Sequence, residues 1–322
     1  MRVSAFSGSK WGQLFFVPLA GLLFSVAVFT FWRINQWEWE ERKMSAGDYT
    51  IARVKDPKTR SDTLERHIRK TCETLRFPED GARKAMAHMH YDDDRKVIYC
   101  FIPKVASTSW KRVWLRMTNR IKPHQNATTM SRYAVHVNLP VLAADRNAEE
   151  KLRTYRKFMV VRHPFERVLS AYRDKLEGEY ENPGYSFHKQ VGKRIQMKYR
   201  GATYREGHNV TFAEFIRFIS EAGRGTEEQR NEHWLPMHEL CQPCAVRYDF
   251  ISKYENLKED ADYLLQWLGL TDLVDGFPAA DNRTFHASRL DPKYLGQLSH
   301  SNIMAFHAKH LADFLLFNYT FT

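Results

Sequence analysis

From about residue 89 onward, short apolar runs alternate with longer amphipathic stretches. Residues 97–102 and 157–161 are apolar runs of the length that forms buried parallel strands, and a helical pattern follows each of them. A third strand is predicted over residues 248–254, and a helix after it over residues 257–268. Strands that alternate with helices in this way predict an α/β fold in which helices flank a central parallel sheet.

Two further helices are predicted from their sequence patterns. The run Thr-Phe-Ala-Glu that begins at Thr211 has the spacing of a capping box and predicts a helix over residues 212–221. Residues 301–316 form an amphipathic pattern that predicts a final helix packed on the core. Residues 33–88, in contrast, are rich in charge and short of strand signals, which predicts a stem with one helical piece near residues 64–75.

The N-terminal part of the chain contains an uncharged stretch over residues 14–32, which is 19 residues long. As a helix it would measure about 28 Å, enough to cross a bilayer. Basic residues precede this stretch, whereas the charges just after it cancel, so the positive-inside rule leaves residues 1–13 in the cytosol. We therefore predict a single-pass type II signal anchor, with a cleaved signal peptide as the alternative. The predicted stem then leads to a folded domain over residues 89–322.

The chain carries 49 basic and 38 acidic residues, a formal net charge of +11. Such an excess favours anionic partners, namely nucleic acid, an acidic membrane surface or an anionic polysaccharide. Exposure to the lumen of the secretory pathway excludes nucleic acid and favours the polysaccharide. Four Asn-x-Thr glycosylation sequons are compatible with a luminal domain, at Asn126, Asn209, Asn282 and Asn318.

An even number of cysteines suits an oxidising compartment. Cys241 and Cys244 are separated by two residues, a spacing compatible with a tight disulfide, half of a zinc site or a redox pair. The chain has no second Cys-x-x-Cys pair, which disfavours zinc, and we predict no metal. If Cys241 pairs with Cys244, then Cys72 pairs with Cys100; other connectivities are possible, and so is a buried free thiol at Cys100.

The loop after residues 97–102 brings a lysine, small residues and hydroxyls to the start of a helix near Ser107. Free N–H groups and the positive end of the helix dipole meet there and favour a phosphate-like anion. A Walker loop places its lysine after a second glycine, so the early lysine and the missing glycines disfavour a nucleotide triphosphate site. We call this segment the anion cradle; its residues are Lys104, Val105, Ala106, Ser107, Thr108, Ser109, Trp110, Lys111 and Arg112.

A second candidate site follows residues 157–161, where the sequence continues Arg-His-Pro-Phe-Glu-Arg-Val-Leu-Ser. Pro164 suits the first turn of a helix. Arg162 stands at the end of the strand and Ser170 lies two helical turns along. If Arg162 bends over the start of the helix, both side chains can hold one phosphate, and we call this pair the second anion site.

The runs Pro-Lys-Val-Ala-Ser-Thr-Ser-Trp-Lys-Arg and Arg-His-Pro-Phe-Glu-Arg-x-x-Ser-Ala-Tyr-Arg resemble the two cofactor boxes of Golgi carbohydrate sulfotransferases. The resemblance implies a P-loop-kinase-like fold, a Golgi membrane protein with a luminal sulfotransferase catalytic domain, and no metal. It also implies that the cradle holds the 5′-phosphosulfate of 3′-phosphoadenosine 5′-phosphosulfate (PAPS), with Lys104 stabilising charge on the leaving phosphate. Arg162 and Ser170 would then hold the 3′-phosphate.

Residues 231–255 look like the corresponding segment of the chondroitin and dermatan N-acetylgalactosamine 4-O-sulfotransferases. This resemblance implies a glycosaminoglycan acceptor and transfer to O4 of N-acetylgalactosamine. Two alternatives are a related enzyme that acts on another glycan, such as O3 of terminal glucuronic acid, and a membrane-anchored glycan-binding protein without catalysis.

The general base has several candidates. His136 lies between the two boxes, and its place resembles that of the catalytic histidine in uronyl 2-O-sulfotransferases. His233 and its neighbour Glu232 are the rivals. A basic stretch soon after the second box is predicted to line the acceptor groove, with a solvated helix face as the alternative. The residues assigned to the acceptor are Lys193, Arg194, Lys198 and His233.

Overall fold

The computed structural model describes most of the chain from residue 56 to residue 320. The described residues are 56–77, 81–120, 130, 134–135, 139–177, 187–201, 203, 206–221, 223, 225–274, 276–278 and 291–320. The predicted tail and anchor, the candidate base His136 and the sequons at Asn126 and Asn282 lie outside these residues. Within the described part of the chain, no helix has the length and apolar character needed to cross a membrane.

A four-stranded sheet forms the centre of the fold, with the order β1-β2-β3-β4. Its strands are β1 (Met89–Asp92), β2 (Val97–Cys100), β3 (Arg156–Val161) and β4 (Phe250–Lys253). Strands β2, β3 and β4 run parallel, as the sequence predicts, and Met159 of β3 pairs with Cys100 and Ile251. Strand β1 is antiparallel to β2 and was not predicted separately. The fold is thus mixed α/β with a mostly parallel sheet.

Helices surround this sheet, and several begin where the sequence predicts. The helix after β2 starts at Ser107, and the helix after β3 starts at Pro164. At Thr211 both bonds of the capping box are formed, the side chain of Glu214 accepting from the Thr211 amide at 2.8 Å. The helices are α1 (Pro57–Leu75), α2 (Ala82–Ala85), α3 (Ser107–Met117), α4 (Ala148–Thr154), α5 (Pro164–Lys175), α6 (Lys193–Arg200), α7 (Phe212–Ile219), α8 (Met237–Cys241), α9 (Leu257–Trp267), α10 (Pro292–Leu295) and α11 (His300–Leu316).

Aromatic packing fixes helix α3 against the sheet. Tyr99 of β2 stacks on Phe158 of β3 with ring centroids 4.8 Å apart, and Trp110 meets Phe158 edge-on at 5.1 Å. Trp110 is fully buried. Its side chain therefore belongs to the core, which corrects its assignment as a cofactor contact. By burying this ring, the fold sets the position of the helix start that carries the cradle.

Helix α1 covers the outer edge of β4. Leu64 and Ile68 lie in the core, and the hydroxyl of Ser61 accepts a hydrogen bond from the amide of Ile251 at 2.8 Å. This contact satisfies an edge-strand donor that would otherwise be open to pairing with another chain. The predicted stem therefore extends too far along the chain, because its apolar helical face is part of the domain core.

Two disulfides join segments that are distant in sequence. Cys72 of α1 pairs with Cys244, and Cys100 of β2 pairs with Cys241 of α8. The expected Cys241–Cys244 and Cys72–Cys100 pairing is wrong, as are the alternatives of a zinc half-site and a free thiol at Cys100. Helix α8 ends at Cys241 and Gln242 adopts a left-handed conformation, so the fold brings Cys241 and Cys244 next to different distant segments.

Candidate active site

The anion cradle has an unusual backbone. Lys104 and Ala106 both have positive φ angles, 74° and 62°, and the Val105 side chain between them is fully buried. Non-glycine residues adopt this conformation at a cost of about 1–2 kcal/mol each, and such strain concentrates at functional sites. Ala106 is the N-cap of α3 and has no side-chain oxygen, so it cannot cap the first amides of the helix. These features fit a loop that receives an anion.

Lys104 is held by a carboxylate that the sequence did not single out. Its Nζ lies 3.1 Å from Oδ2 of Asp174 on α5, and Nζ of Lys175 lies 3.3 Å from the same oxygen. Both Lys104 and Asp174 have largely buried side chains, 16% and 11% exposed. The carboxylate therefore gathers two cations beside the cradle and offsets their mutual repulsion.

The second anion site touches the first. Arg162 leaves β3, and its Nη1 donates to the carbonyl of Lys104 at 3.3 Å. Its guanidinium also lies 4.4 Å from the ring centroid of Tyr254 and 3.5 Å from the Glu166 carboxylate. Ser170 lies half-buried on α5. The structure thus brings the two sequence-predicted boxes to the carboxyl ends of adjacent parallel strands, where open α/β sheets bind ligands.

Arg167 joins three segments of the site, and the sequence did not assign it a role. Its Nε donates to the carbonyl of Pro103 at 3.0 Å, and Nη2 and Nη1 donate to the carbonyls of Glu232 and Leu235, each at 2.8 Å. The side chain is 1% exposed, and burial lowers its pKa to about 10, so the guanidinium stays charged at neutral pH. One buried cation therefore ties the cradle to the 232–235 loop.

The remaining basic residues of the cradle are buried. The Nζ of Lys111 lies 3.6 Å from the centroid of the Phe101 ring, and burial lowers the pKa of this amine to about 8, against the opposing effect of Glu232. Arg112 is 5% exposed and donates to the carbonyl of Met130 at 3.3 Å. Both side chains are therefore almost fully buried beside the cradle. Among the described residues, no group of three or more His, Cys, Asp or Glu side chains is placed to hold a metal.

His233 stands beside the cations of the cradle rather than in a separate groove. Its Nδ1 lies 2.7 Å from Oδ1 of Asn231. Burial, followed by the positive charges of Lys175, Lys104 and Arg167, lowers its pKa to about 3. The imidazole is therefore neutral at working pH and a weak proton acceptor until anions enter the site.

The basic stretch around α6 is partly neutralised by nearby carboxylates. Arg194 pairs with Glu228 at 2.8 Å, and Lys198 forms an ion pair with Glu221. The segment connects to the site through Phe187, whose ring lies 5.3 Å from that of His233 and 4.9 Å from Nζ of Lys175. Helix α6, which carries Lys193, Arg194 and Lys198, follows Phe187 after one short π-helical turn, His188–Gly192.

The C-terminal end of the chain supports the second anion site. His163 donates from Nε2 to the carbonyl of Thr320 at 2.8 Å, and its amide donates to Oε1 of Glu255 at 3.0 Å. The Tyr319 hydroxyl donates to Oε2 of the same Glu255 at 2.8 Å. These contacts join residues 64 to 157 positions apart in sequence, so no local pattern could have revealed them.

Asn318 is a poor glycosylation site in this fold. The residue is 3% exposed, and its carbonyl accepts a hydrogen bond from Nζ of Lys253 at 2.8 Å. A glycan on this side chain would have to displace the packed C-terminal segment, which corrects the prediction for this sequon. Asn209, in contrast, is exposed in a left-handed turn.

Removing the Tyr319 hydroxyl should weaken donor binding. In Tyr319→Phe, Glu255 loses one of its two hydrogen-bond donors, which frees the carboxylate that orients His163. We expect the KM for PAPS to rise about fivefold, the equivalent of roughly 1 kcal/mol, with little change in the acceptor KM. Tyr294→Phe is the matched control, because its hydroxyl also donates to a glutamate, Glu177, at 2.6 Å. Equal effects of both variants on the PAPS KM would contradict the role of the C-terminal segment.

Known proteins are similar to this chain over most of its length. The model of the sulfotransferase family matches residues 87–320. Carbohydrate sulfotransferase 11 of Mus musculus is 33% identical over 243 residues, which cover 73% of this chain and 68% of that protein. Carbohydrate sulfotransferase 14 of Homo sapiens is 34% identical over 277 residues, covering 82% and 70%. Carbohydrate sulfotransferase 9 of Homo sapiens is 32% identical over 249 residues, covering 73% and 54%. No solved structure gives a significant match.

The family model covers most of the chain, and relatives more than 30% identical extend over both boxes. PAPS is the sulfuryl donor of this family in general, and the cradle, with its strained loop, uncapped helix start and gathered cations, fits an anionic phosphosulfate. The chain therefore belongs to the sulfotransferase family, among the carbohydrate sulfotransferases, and is an enzyme that sulfates a glycan.

Proposed function

We propose that this enzyme transfers a sulfuryl group from PAPS to O4 of N-acetylgalactosamine in chondroitin or dermatan. The contact between Arg162 and the Lys104 carbonyl carries the donor part of the proposal, since it joins the two anion sites at one edge of the sheet. PAPS carries anionic groups at both its 5′ and 3′ positions, and two adjacent cationic sites suit such a ligand. The acceptor part rests on the resemblance of residues 231–255 to the 4-O-sulfotransferases.

In this proposal, different residues of the site have different roles in the sulfuryl transfer. Lys104 and the first amides of α3 would hold the 5′ phosphosulfate and stabilise the charge that develops on the leaving phosphate. Arg162 and Ser170 would hold the 3′-phosphate and so orient the donor for in-line attack. Thr108 stays half-buried and can donate to the anion, whereas Ser107 and Ser109 are buried and contribute through their amides.

The proposal is tested by supplying the full-length enzyme with labelled PAPS and a panel of acceptors. The panel contains chondroitin, dermatan, heparan sulfate and their desulfated forms, and disaccharide analysis locates the new sulfate. We expect 4-sulfated N-acetylgalactosamine from chondroitin or dermatan. Sulfate on O3 of glucuronic acid, or on any other position, would contradict the proposed regiochemistry. Glycan binding with no transfer to any acceptor would contradict catalysis itself.

The basic face of α6 should contribute to acceptor affinity. Replacing Lys193, Arg194 and Lys198 with alanine should raise the acceptor KM about tenfold, since each partly exposed charge contributes about 0.5 kcal/mol. The PAPS KM should not change. A control variant removes three basic residues of α1, namely Lys58, Arg66 and Lys70. An unchanged acceptor KM in the α6 variant, or an equal rise in the control, would show that this face is merely solvated.

We also propose that the enzyme is a single-pass type II protein of the Golgi membrane with a luminal catalytic domain. The uncharged stretch over residues 14–32, the charge bias around it and the exposed sequon at Asn209 support this placement. Two measurements test the orientation. The C-terminal part should be protected from protease in sealed Golgi vesicles. The protein should also carry a glycan that glycosidase removes and that Asn209→Gln lacks. Cleavage of the C-terminal part in intact vesicles would contradict it.

A further inference from the structure

One carboxylate, that of Glu232, lies on the 232–235 loop, which Arg167 ties to the cradle. Glu232 has its main chain fixed by Nη2 of Arg167, while the same guanidinium binds the carbonyl of Pro103, the residue before Lys104. The Glu232 side chain is 44% exposed, so its carboxylate is accessible to a bound molecule. A carboxylate in this place can reach a hydroxyl presented to the donor.

His88 lies against this carboxylate. Its carbonyl accepts from the Phe101 amide at 2.8 Å, which fixes His88 to the strand that leads into the cradle. Its Nδ1 is buried, lies 3.6 Å from Oε2 of Glu232, and makes no hydrogen bond within the described residues. Small movement of either side chain would form that bond. His88 is therefore placed to orient the Glu232 carboxylate.

The charged groups that face this pair come from two helices. Lys111 approaches from α3 and Arg167 from α5, and both act on His88 as well as Glu232. His88 itself lies on the 3₁₀ turn before β1. Burial lowers the pKa of His88, and Lys111 and Arg167 lower it further, whereas Glu232 raises it.

We propose that Glu232 is the general base that takes the proton from the acceptor hydroxyl, and that His88 is the positioning residue that orients it. This inference rests on the proposed sulfuryl transfer. The acceptor oxygen forms the new bond to sulfur, and the bond from sulfur to the bridging phosphate oxygen breaks. That oxygen leaves with the electron pair on the 5′-phosphate. The hydroxyl proton passes to Glu232, which becomes neutral.

Of the rival histidines, His233 is less suited because of the charges around it. His233 is surrounded by Lys175, Lys104 and Arg167, the cations that gather around the donor's phosphates. Its Nδ1 lies 2.7 Å from Oδ1 of Asn231 in its own loop, and its ring lies 5.3 Å from that of Phe187. His136 lies outside the described residues.

The test compares Glu232→Gln with the wild-type enzyme, using full-length protein and the best acceptor from the panel. The amide keeps the size of the side chain and the main-chain bond to Arg167 but cannot act as base. We expect kcat to fall at least about 100-fold, the usual contribution of general base catalysis, with unchanged binding of 3′-phosphoadenosine 5′-phosphate. Glu239→Gln on α8 is the control, with the same chemical change outside the site, and should retain full activity.

His88→Gln adds a second measurement. We expect its kcat to fall about tenfold with the PAPS KM unchanged, and the double variant to be no slower than Glu232→Gln alone, because the two residues act through one group. A kcat for Glu232→Gln within threefold of wild type would overturn the proposal. So would a parallel loss of nucleotide binding, or additive losses in the double variant. Wild-type transfer to the acceptor establishes the sulfotransferase function independently of these outcomes.

Discussion

Lys104→Ala should reduce kcat/KM for sulfuryl transfer by about 1,000-fold. The ammonium is the one charged side chain within the strained loop, and Asp174 holds it 3.1 Å away at the side of the cradle. Removing a preorganised charge from the point where negative charge develops typically costs 100- to 1,000-fold in rate. The substitution adds little backbone strain, because lysine and alanine both carry a Cβ at the positive φ angle of this residue.

Two comparison variants separate charge from packing at Lys104. Lys104→Met keeps the aliphatic stem and should lose as much activity as alanine if the ammonium is what matters. Lys175→Ala removes the other lysine of the Asp174 pair and should cost less than tenfold, since Lys175 lies outside the cradle loop. Steady-state kinetics with PAPS as the varied substrate measures all three. Full activity of Lys104→Ala would remove the basis for assigning the cradle to the donor.

Arg167→Met should produce the largest loss of stability among single substitutions in the site. Three main-chain carbonyls lose a charged donor at once, and each lies in a buried or half-buried position. Leaving such acceptors without partners costs about 3–5 kcal/mol, although methionine fills part of the volume. For a domain of this size we expect Tm to fall by about 10 °C. Activity should fall as well, because the 232–235 loop is no longer tied to Pro103.

The control for this variant lies on the same helix. Arg173→Met also replaces an arginine of α5, but its side chain is 57% exposed and pairs only with Glu177 at 3.4 Å among the salt bridges described. We expect a Tm change of less than 2 °C there, as for most exposed ion pairs. Thermal unfolding followed by circular dichroism compares the two. A similar small shift in both variants would contradict the central role given to Arg167.

Much of the proposed donor-binding site could be predicted from the sequence, because short local sequence patterns mark its strands and helix starts. An apolar run followed by lysine and hydroxyls predicts a strand, a loop and a helix start, and α3 begins at Ser107 as expected. Pro164 opens α5 for the same kind of reason. Arg162 could be placed near the cradle because parallel strands end at one edge of the sheet. The role of each residue in holding PAPS remains a prediction.

The long-range features could not be predicted in this way. The disulfide pairing depends on which segments the fold brings next to Cys241 and Cys244, and two residues of spacing carry no information about that. The helix over Pro57–Leu75 is rich in charge, so its sequence resembles a stem, and only its contacts with β4 show that it belongs to the core. Trp110 looked like part of a binding motif and is instead a core residue.

By itself, the sequence determined the class of the fold and the two strand–loop–helix segments to which we assign anion binding. These follow from hydrophobic periodicity and helix-start chemistry, which act over a few residues. Only the tertiary structure decided what surrounds those segments: Asp174 beside Lys104, Arg167 between three loops, and the C-terminus against His163. The physical reason is that the packing of the core sets which groups lie next to a buried charge, and this packing depends on contacts along the whole chain.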